Sequence, residues 1–167
     1  MMNKIKLLVM DVDGTLTDGK IYMGNDGEIM KAFDIKDGCG IKDILPTIGI
    51  VPVIITARTS KILENRCKEL AIKEFHQGVR NKFEKLQEIC RTYNATLKEV
   101  AYIGDDILDL QCMKPIKSEG GIVGCPADAV KKIIEISDFI STKNGGNGSV
   151  RQFIEYINEY SILEASK

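Results

Sequence analysis

Three short apolar runs stop abruptly at polar residues, and this pattern constrains the fold more than any other feature of the chain. Residues 4–10 end in Leu7-Leu8-Val9-Met10 and are cut by Asp11. Residues 50–55 are closed by Thr56, and residues 100–103 run into Gly104-Asp105-Asp106. Continuously apolar runs of this length suit strands covered on both faces. Between the second and third runs, Leu63, Cys67 and Leu70 recur at i, i+4 and i+7 behind a cap at Thr59 or Ser60. Phe83, Leu86 and Cys90 mark another helix from about Asn81. Further short strands are expected at 73–75, 122–123 and 139–140, with a helix near 129–136 between the last two. Shorter helices are expected at 41–47, after a loop at 37–40, and after Asp109 up to a stop near Pro115. A final helix follows the glycine loop Gly145-Gly146-Asn147-Gly148 and runs through Tyr156. Segment 19–34, with Ile21 and Tyr22 before Asn25-Asp26-Gly27, reads as a β-hairpin. The alternation, without linker or repeat, predicts a single three-layer Rossmann-like α/β domain over 1–167. Its sheet is mainly parallel, with a hairpin inserted after the first strand. Residues 12–55 are already occupied by a hairpin, a helix and a strand, which leaves no room there for a cap domain.

Charge and rare residues narrow the chemistry. With 23 Lys+Arg against 24 Asp+Glu, the net charge of −1 provides no basic field for nucleic acid or an anionic membrane. The apolar run before Asp11 is too short for a signal-peptide core or a membrane span, so a cytoplasmic protein is expected. Five cysteines, with no CxxC pair, read as reduced thiols rather than a disulfide framework or zinc knuckle. The single histidine, His76, excludes HExxH peptidases, three-histidine zinc sites and two-histidine iron sites. Its neighbours form no nucleophile elbow, so any chemistry here is carboxylate chemistry.

In parallel sheets ligands bind at the carboxyl ends of the strands, and Asp11, Thr56 and Asp105 all fall there. Asp13 stands two residues beyond Asp11, and Asp106 and Asp109 follow Asp105. Each group alone would pass for a polar turn or an acidic helix start. Up to five acids at one sheet edge, however, repel one another unless a cation is present. Oxygen-only donors point to a hard ion such as Mg²⁺, which takes one or two carboxylates plus substrate phosphate and water. Lys82 lies in the opening turn of a helix, where the dipole disfavours a cation unless an anion sits beside it. The Thr56 hydroxyl, at a strand-to-helix junction, can hold phosphate.

In this order, Asp11-Val12-Asp13-Gly14-Thr15, Thr56, Lys82 and Gly104-Asp105-Asp106-x-x-Asp109 resemble the four motifs of the haloacid dehalogenase superfamily of phosphohydrolases. Thr17-Asp18-Gly19, residues 33–42, Gln77-Gly78, Ala101 to Asp106 and Gly145 to Arg151 are similar to its capless subgroup, the 3-deoxy-D-manno-octulosonate 8-phosphate phosphatases. The resemblance spans about 4–156. It implies that Asp11 is the nucleophile forming an aspartyl-phosphate and that Asp13 is the acid and then the base. It further implies that Thr56 and Lys82 hold the phosphoryl oxygens, and that Asp11, the Asp13 carbonyl and Asp105 bind Mg²⁺, with Asp106 and Asp109 supporting them. Arg58 matches a subgroup arginine able to pair with a sugar-acid carboxylate. Relatives commonly carry Thr-Gly-Arg where this chain has Thr56-Ala57-Arg58, and an aspartate where it has Asn81. The implied protein is a homotetrameric, Mg²⁺-dependent sugar-acid phosphatase of lipopolysaccharide biosynthesis. The competing readings are a phosphatase for a nonulosonate 9-phosphate of sialic-acid type, a non-catalytic module like those attached to cytidylyltransferases, and a phosphoacceptor domain of response-regulator type.

Overall fold

The computed structural model describes residues 5–165, with side chains described over 5–160. Six strands form one sheet: β1 (Leu7–Met10), β4 (Val51–Ile55), β5 (Glu74–His76), β6 (Val100–Ile103), β7 (Ile122–Cys125) and β8 (Phe139–Ile140). Their order is β5-β4-β1-β6-β7-β8, and every pairing is parallel. The remaining strands, β2 (Tyr22–Gly24) and β3 (Gly27–Met30), make the antiparallel hairpin. The first strand starts at Leu7 rather than at residue 4, which lies outside the described residues.

Both faces of the sheet are covered. Leu8, Met10, Ile54 and Ile103 face one apolar cluster, completed by Leu63, Cys67, Phe153 and Ile157 from α3 (Lys61–Glu69) and α7 (Ser149–Ala165). Leu7, Val9, Val53 and Tyr102 face a second, completed by α4 (Lys82–Thr92), α5 (Leu110–Ser118) and α6 (Lys131–Ile136). Each fully buried Leu, Ile or Val stabilises by about 1.5–3 kcal/mol. These two clusters are therefore the main apolar contribution to holding the sheet.

Three expectations fail, the first two for a tertiary reason. Residues 37–40 are helical: α1 (Ile35–Cys39) passes through a π-helical segment (Gly40–Ile44) into α2 (Leu45–Ile48). Asp34 caps the start by accepting from the Lys36 amide at 2.6 Å. The two glycines serve close packing rather than a loop. A methyl at Gly38 would stand 2.4 Å from the Arg66 guanidinium, and one at Gly40 would stand 2.9 Å from Ile154. Pro115 does not stop its helix either, because α5 continues to Ser118. Burial of Cys112, Met113 and Ile116 on the sheet outweighs the lost amide and ring clash, a cost of about 3 kcal/mol. The last helix runs on to Ala165, well past Tyr156.

The chain moves outward from β1 to β4 and β5, then crosses back to β6 on the other side of β1. The strand order therefore reverses between β1 and β6, where open α/β sheets leave a crevice. The Asp11 amide still donates to the Ile103 carbonyl at 3.1 Å, so Asp11 leaves the sheet at that crevice.

Candidate active site

Past Asp11 the chain turns sharply. The amides of Thr15, Leu16 and Thr17 all donate to the Val12 carbonyl at 2.9–3.2 Å, and Gly14 adopts φ +96°. A side chain at Gly14 would meet Asp105 at 2.1 Å, so glycine lets the loop after β1 lie directly against the loop after β6. The Thr15 hydroxyl fastens the two by donating to Asp105 Oδ1 at 3.0 Å. From the other side the Gly145-Gly146 loop packs backbone to backbone. A Cβ on Gly145 would fall 1.9 Å from the Gly14 carbonyl oxygen, and the Gly146 amide donates to the Thr15 carbonyl at 3.1 Å.

Lys82 is the centre of the inner site. It is 1% exposed, although it opens α4 behind an Asn81 cap that accepts from the Glu84 amide. Its ammonium donates at 2.7 Å to Asp11 Oδ1 and at 2.7 Å to Asp109 Oδ1. Asp109 Oδ1 also accepts from the buried Tyr102 hydroxyl at 2.7 Å, while Oδ2 accepts from the amides of Asp105 and Asp106 at 3.0 and 3.2 Å. The Lys82 amide donates to Gln111 Oε1 at 3.0 Å, which ties the start of α4 to α5.

Burial dominates the electrostatics. Burial, then repulsion from Asp109, pushes the Asp11 carboxyl up to about 7 against the pull of Lys82. Burial, then Asp11 and Asp109, pushes Asp105 up to about 8. Burial works against the Lys82 ammonium, but Asp11 and Asp109 outweigh it and raise its pKa above the ordinary lysine value. Asp11, Asp105 and Asp109 each place an oxygen within 4.8 Å of the others. Three carboxylates faced by one ammonium leave the cluster short of positive charge, and all its donors are oxygen, so the residues fit a hard divalent cation. Asp109 is the least suited of the three to ligate it. A carboxylate offers about four acceptor sites, and those of Asp109 are taken by Lys82, Tyr102 and two amides. It organises the other two.

Thr56 is buried at the end of β4, next to β1, where its amide donates to the His76 carbonyl at 3.0 Å. His76 lies on β5 with Nε2 3.1 Å from Glu74, apart from the acid cluster. Asp106 is exposed and caps its own turn through the Ile107 amide at 2.6 Å. Arg58 is directed to the hairpin, donating to Glu28 at 3.1 Å. The Asp13 carboxylate accepts from Lys31, which also pairs with Glu28 at 3.0 Å. The sequence alone does not mark Lys31, Glu28, Thr15 or Tyr102 as site residues. Thr15 lies inside the first motif and Tyr102 at the end of a buried strand, but nothing near Lys31 or Glu28 marks them.

One relative similar in sequence and two solved structures similar in fold stand beside this geometry. The 3-deoxy-D-manno-octulosonate 8-phosphate phosphatase KdsC of Escherichia coli K12 is 39% identical over 153 residues, covering 92% of this chain and 79% of its own. The crystal structure of the Moraxella catarrhalis 3-deoxy-D-manno-octulosonate 8-phosphate phosphatase, in complex with magnesium, phosphate and KDO, superposes with a TM-score of 0.85 at 37% identity, over 97% of this chain and 92% of that one. The cobalt-bound Haemophilus influenzae deoxy-D-mannose-octulosonate 8-phosphate phosphatase superposes with a TM-score of 0.87 at 32% identity, over 95% and 90%. No protein-family model matches the chain.

Proposed function

The chain belongs to the 3-deoxy-D-manno-octulosonate 8-phosphate phosphatase family of the haloacid dehalogenase superfamily, a family of phosphate monoester hydrolases, and we propose that its own reaction is the Mg²⁺-dependent release of phosphate from that eight-carbon sugar acid. The observation that carries this reading is the buried cluster of Asp11, Lys82 and Asp105 at the β1/β6 crevice, with Asp13 at its mouth. The Asp11 carboxylate attacks phosphorus while the bond to the sugar oxygen breaks, and Asp13 delivers a proton to that oxygen. Asp13, now a carboxylate, takes a proton from the water that opens the aspartyl-phosphate and returns Asp11. Lys82 and Thr56 steady the phosphoryl oxygens, and Asp109 holds Lys82 in place. Mg²⁺, held by Asp11, Asp105 and the Asp13 carbonyl, would supply charge neutralisation at the transferring group.

Arg58 recognises the sugar-acid carboxylate by exchanging its present partner, Glu28, for the substrate. Filled reacting positions favour catalysis over a non-catalytic module. Phosphate release measured over octulosonate 8-phosphate, nonulosonate 9-phosphates and simple sugar phosphates, with and without Mg²⁺, tests the reading. The octulosonate ester is expected to have the highest kcat/KM, and only with the ion present. A higher value for a nonulosonate ester would transfer the assignment to the sialic-acid type, and Mg²⁺-independent turnover would remove the metal.

The same reading takes 1–167 as one catalytic unit that works as a homotetramer. Ile21, Met23, Ile29 and Met30 are 46–64% exposed on the hairpin, and a two-stranded ribbon with bare apolar residues is marginal by itself. A second copy laid against them would cover these side chains and close the sugar side of the crevice. Light scattering at micromolar concentration decides this, since a fully active species of monomer mass would reject the shared assembly.

A further inference from the structure

Lys31 departs from the rest of its hairpin. The apolar residues of β2 and β3 stand in the open, yet the Lys31 side chain, one residue past β3, is only 2% exposed. Desolvating an ammonium is costly unless opposite charges meet it, and two do. Lys31 donates to Asp13 Oδ1 and pairs with Glu28 at 3.0 Å. Glu28 in turn accepts from the Ser60 hydroxyl at 2.5 Å and from Arg58 at 3.1 Å. Ser60 is the cap of α3, its own amide held by Gln77 at 2.7 Å. A chain of polar contacts thus runs from the capped start of α3, across the hairpin, to the carboxylate of Asp13.

We propose that Lys31 is a positioning residue for the reaction, orienting the Asp13 carboxyl toward the ester oxygen through the Glu28–Ser60 anchor. Asp13 lies within the tight turn that the Val12 carbonyl closes and precedes a glycine at φ +96°, so its own loop gives its side chain little lateral support. Proton delivery requires the acid within hydrogen-bond reach of the leaving oxygen as the phosphorus–oxygen bond breaks. With Oδ1 engaged by Lys31, rotation of the carboxyl is restricted and the second oxygen is left to carry the proton. This inference rests on the reading of Asp13 as the acid and base, and it assigns the hairpin a catalytic reason for lying over its own site.

The test compares aryl phosphates of similar size and graded leaving-group acidity, from 4-nitrophenyl through phenyl to 4-methylphenyl phosphate, assayed with Mg²⁺. kcat/KM reports the steps up to departure of the aryl alcohol, and a poor leaving group depends on proton delivery far more than a good one. In Lys31→Met, kcat/KM is expected to fall about tenfold for phenyl phosphate and by no more than about twofold for 4-nitrophenyl phosphate, a small part of the range general acids span. The dependence on leaving-group acidity steepens accordingly. Lys31→Arg should recover most of the loss. Glu28→Gln, which leaves the ammonium but loosens its anchor, should steepen the dependence by a smaller amount, and it decides the matter if Lys31→Met melts early. An equal loss across the series, or none, would overturn the positioning role while leaving the phosphatase reading intact. Wild-type protein inert toward every aryl and sugar phosphate would overturn both.

Discussion

At the inner end of the site, Asp11, Lys82 and Asp109 are each less than 10% exposed and are held by groups from β1, β6, α4 and the turn before α5. At the outer end, Asp13 is held by one lysine of a hairpin whose apolar residues face outward. The inner end is positioned by packing, with charges that have nowhere else to go. The outer end is positioned by charge alone, on an element whose own packing is thin. The comparison separates two tasks of a phosphatase: a phosphoryl group is always the same shape, whereas leaving groups differ. Substitutions inside should therefore act on all substrates alike, and substitutions outside should discriminate among them.

The largest effect is expected from Asp11→Asn, since an amide is a poor nucleophile. kcat should fall by about 10⁴-fold or more on every phosphate ester, measured as released phosphate. A variant keeping over about a tenth of wild-type turnover would break the assignment of the inner end.

Next is the coupling of metal, protons and stability. With no metal bound, folded Asp11 and Asp105 keep their protons up to about 7 and about 8, far above the ordinary value of 3.8 that holds in the unfolded chain. Between roughly pH 4 and 8 the folded state then binds more protons than the unfolded one, so the metal-free protein loses stability as pH rises across that window. A divalent cation replaces those protons. A fixed Mg²⁺ concentration, about a hundred times the dissociation constant at pH 8, adds about 2.7 kcal/mol there, and the gain in Tm should be smaller at pH 5.5, where protons compete for the same carboxylates. Equal gains at both pH values would show that the cation binds elsewhere.

A smaller and selective effect is expected at the outer end. Arg58→Ala should raise KM for the sugar-acid phosphate about tenfold, near 1.4 kcal/mol, and leave KM for 4-nitrophenyl phosphate unchanged. If both substrates respond equally, Arg58 is a partner of Glu28 and nothing more.

Asp37 is a control for burial without chemistry. It lies in α1, 1% exposed, and accepts from the Arg151 amide at 2.7 Å at the start of α7. Burial pushes it up to about 6 against the pull of the amides at that helix start. Its raised pKa costs stability once pH passes about 4, fully above 6, by up to about 3 kcal/mol. An asparagine avoids that cost but forgoes the attraction of a carboxylate to the helix N-terminus, about 1 kcal/mol. Asp37→Asn should therefore gain about 2 kcal/mol in urea unfolding at pH 7.5 and nothing at pH 4, with activity unchanged. A loss at pH 7.5 would mean that the helix-capping charge outweighs burial.

The inner end was legible in the sequence because its residues are tied to local pattern. A strand covered on both faces must end where its apolar run ends, so Asp11, Thr56 and Asp105 were placed at one edge as soon as the strands were recognised. Lys82 stood out as a cation at the wrong end of a helix, and the structure gives the reason in two carboxylates at 2.7 Å. Asp109 is expected beside the cluster from the motif, and its acceptor sites are filled by Lys82, Tyr102 and two amides. The outer end was not legible. A hairpin is recognisable from its turn, but the direction in which its lysine points depends on where the ribbon lies against a loop formed more than ten residues earlier.

The sequence alone determined the alternation of strands and helices and the edge of the sheet at which the acids gather, because each follows from neighbours along the chain. The tertiary structure alone decided three other matters: that Gly38 and Gly40 belong to a helix packed against Arg66 and Ile154, that α5 survives Pro115, and that Lys31 is buried on Asp13. In each case a local preference, about 1–3 kcal/mol against glycine or proline in a helix and larger against a buried charge, is outweighed by contacts with residues distant in sequence. Such contacts leave no periodic trace in the chain.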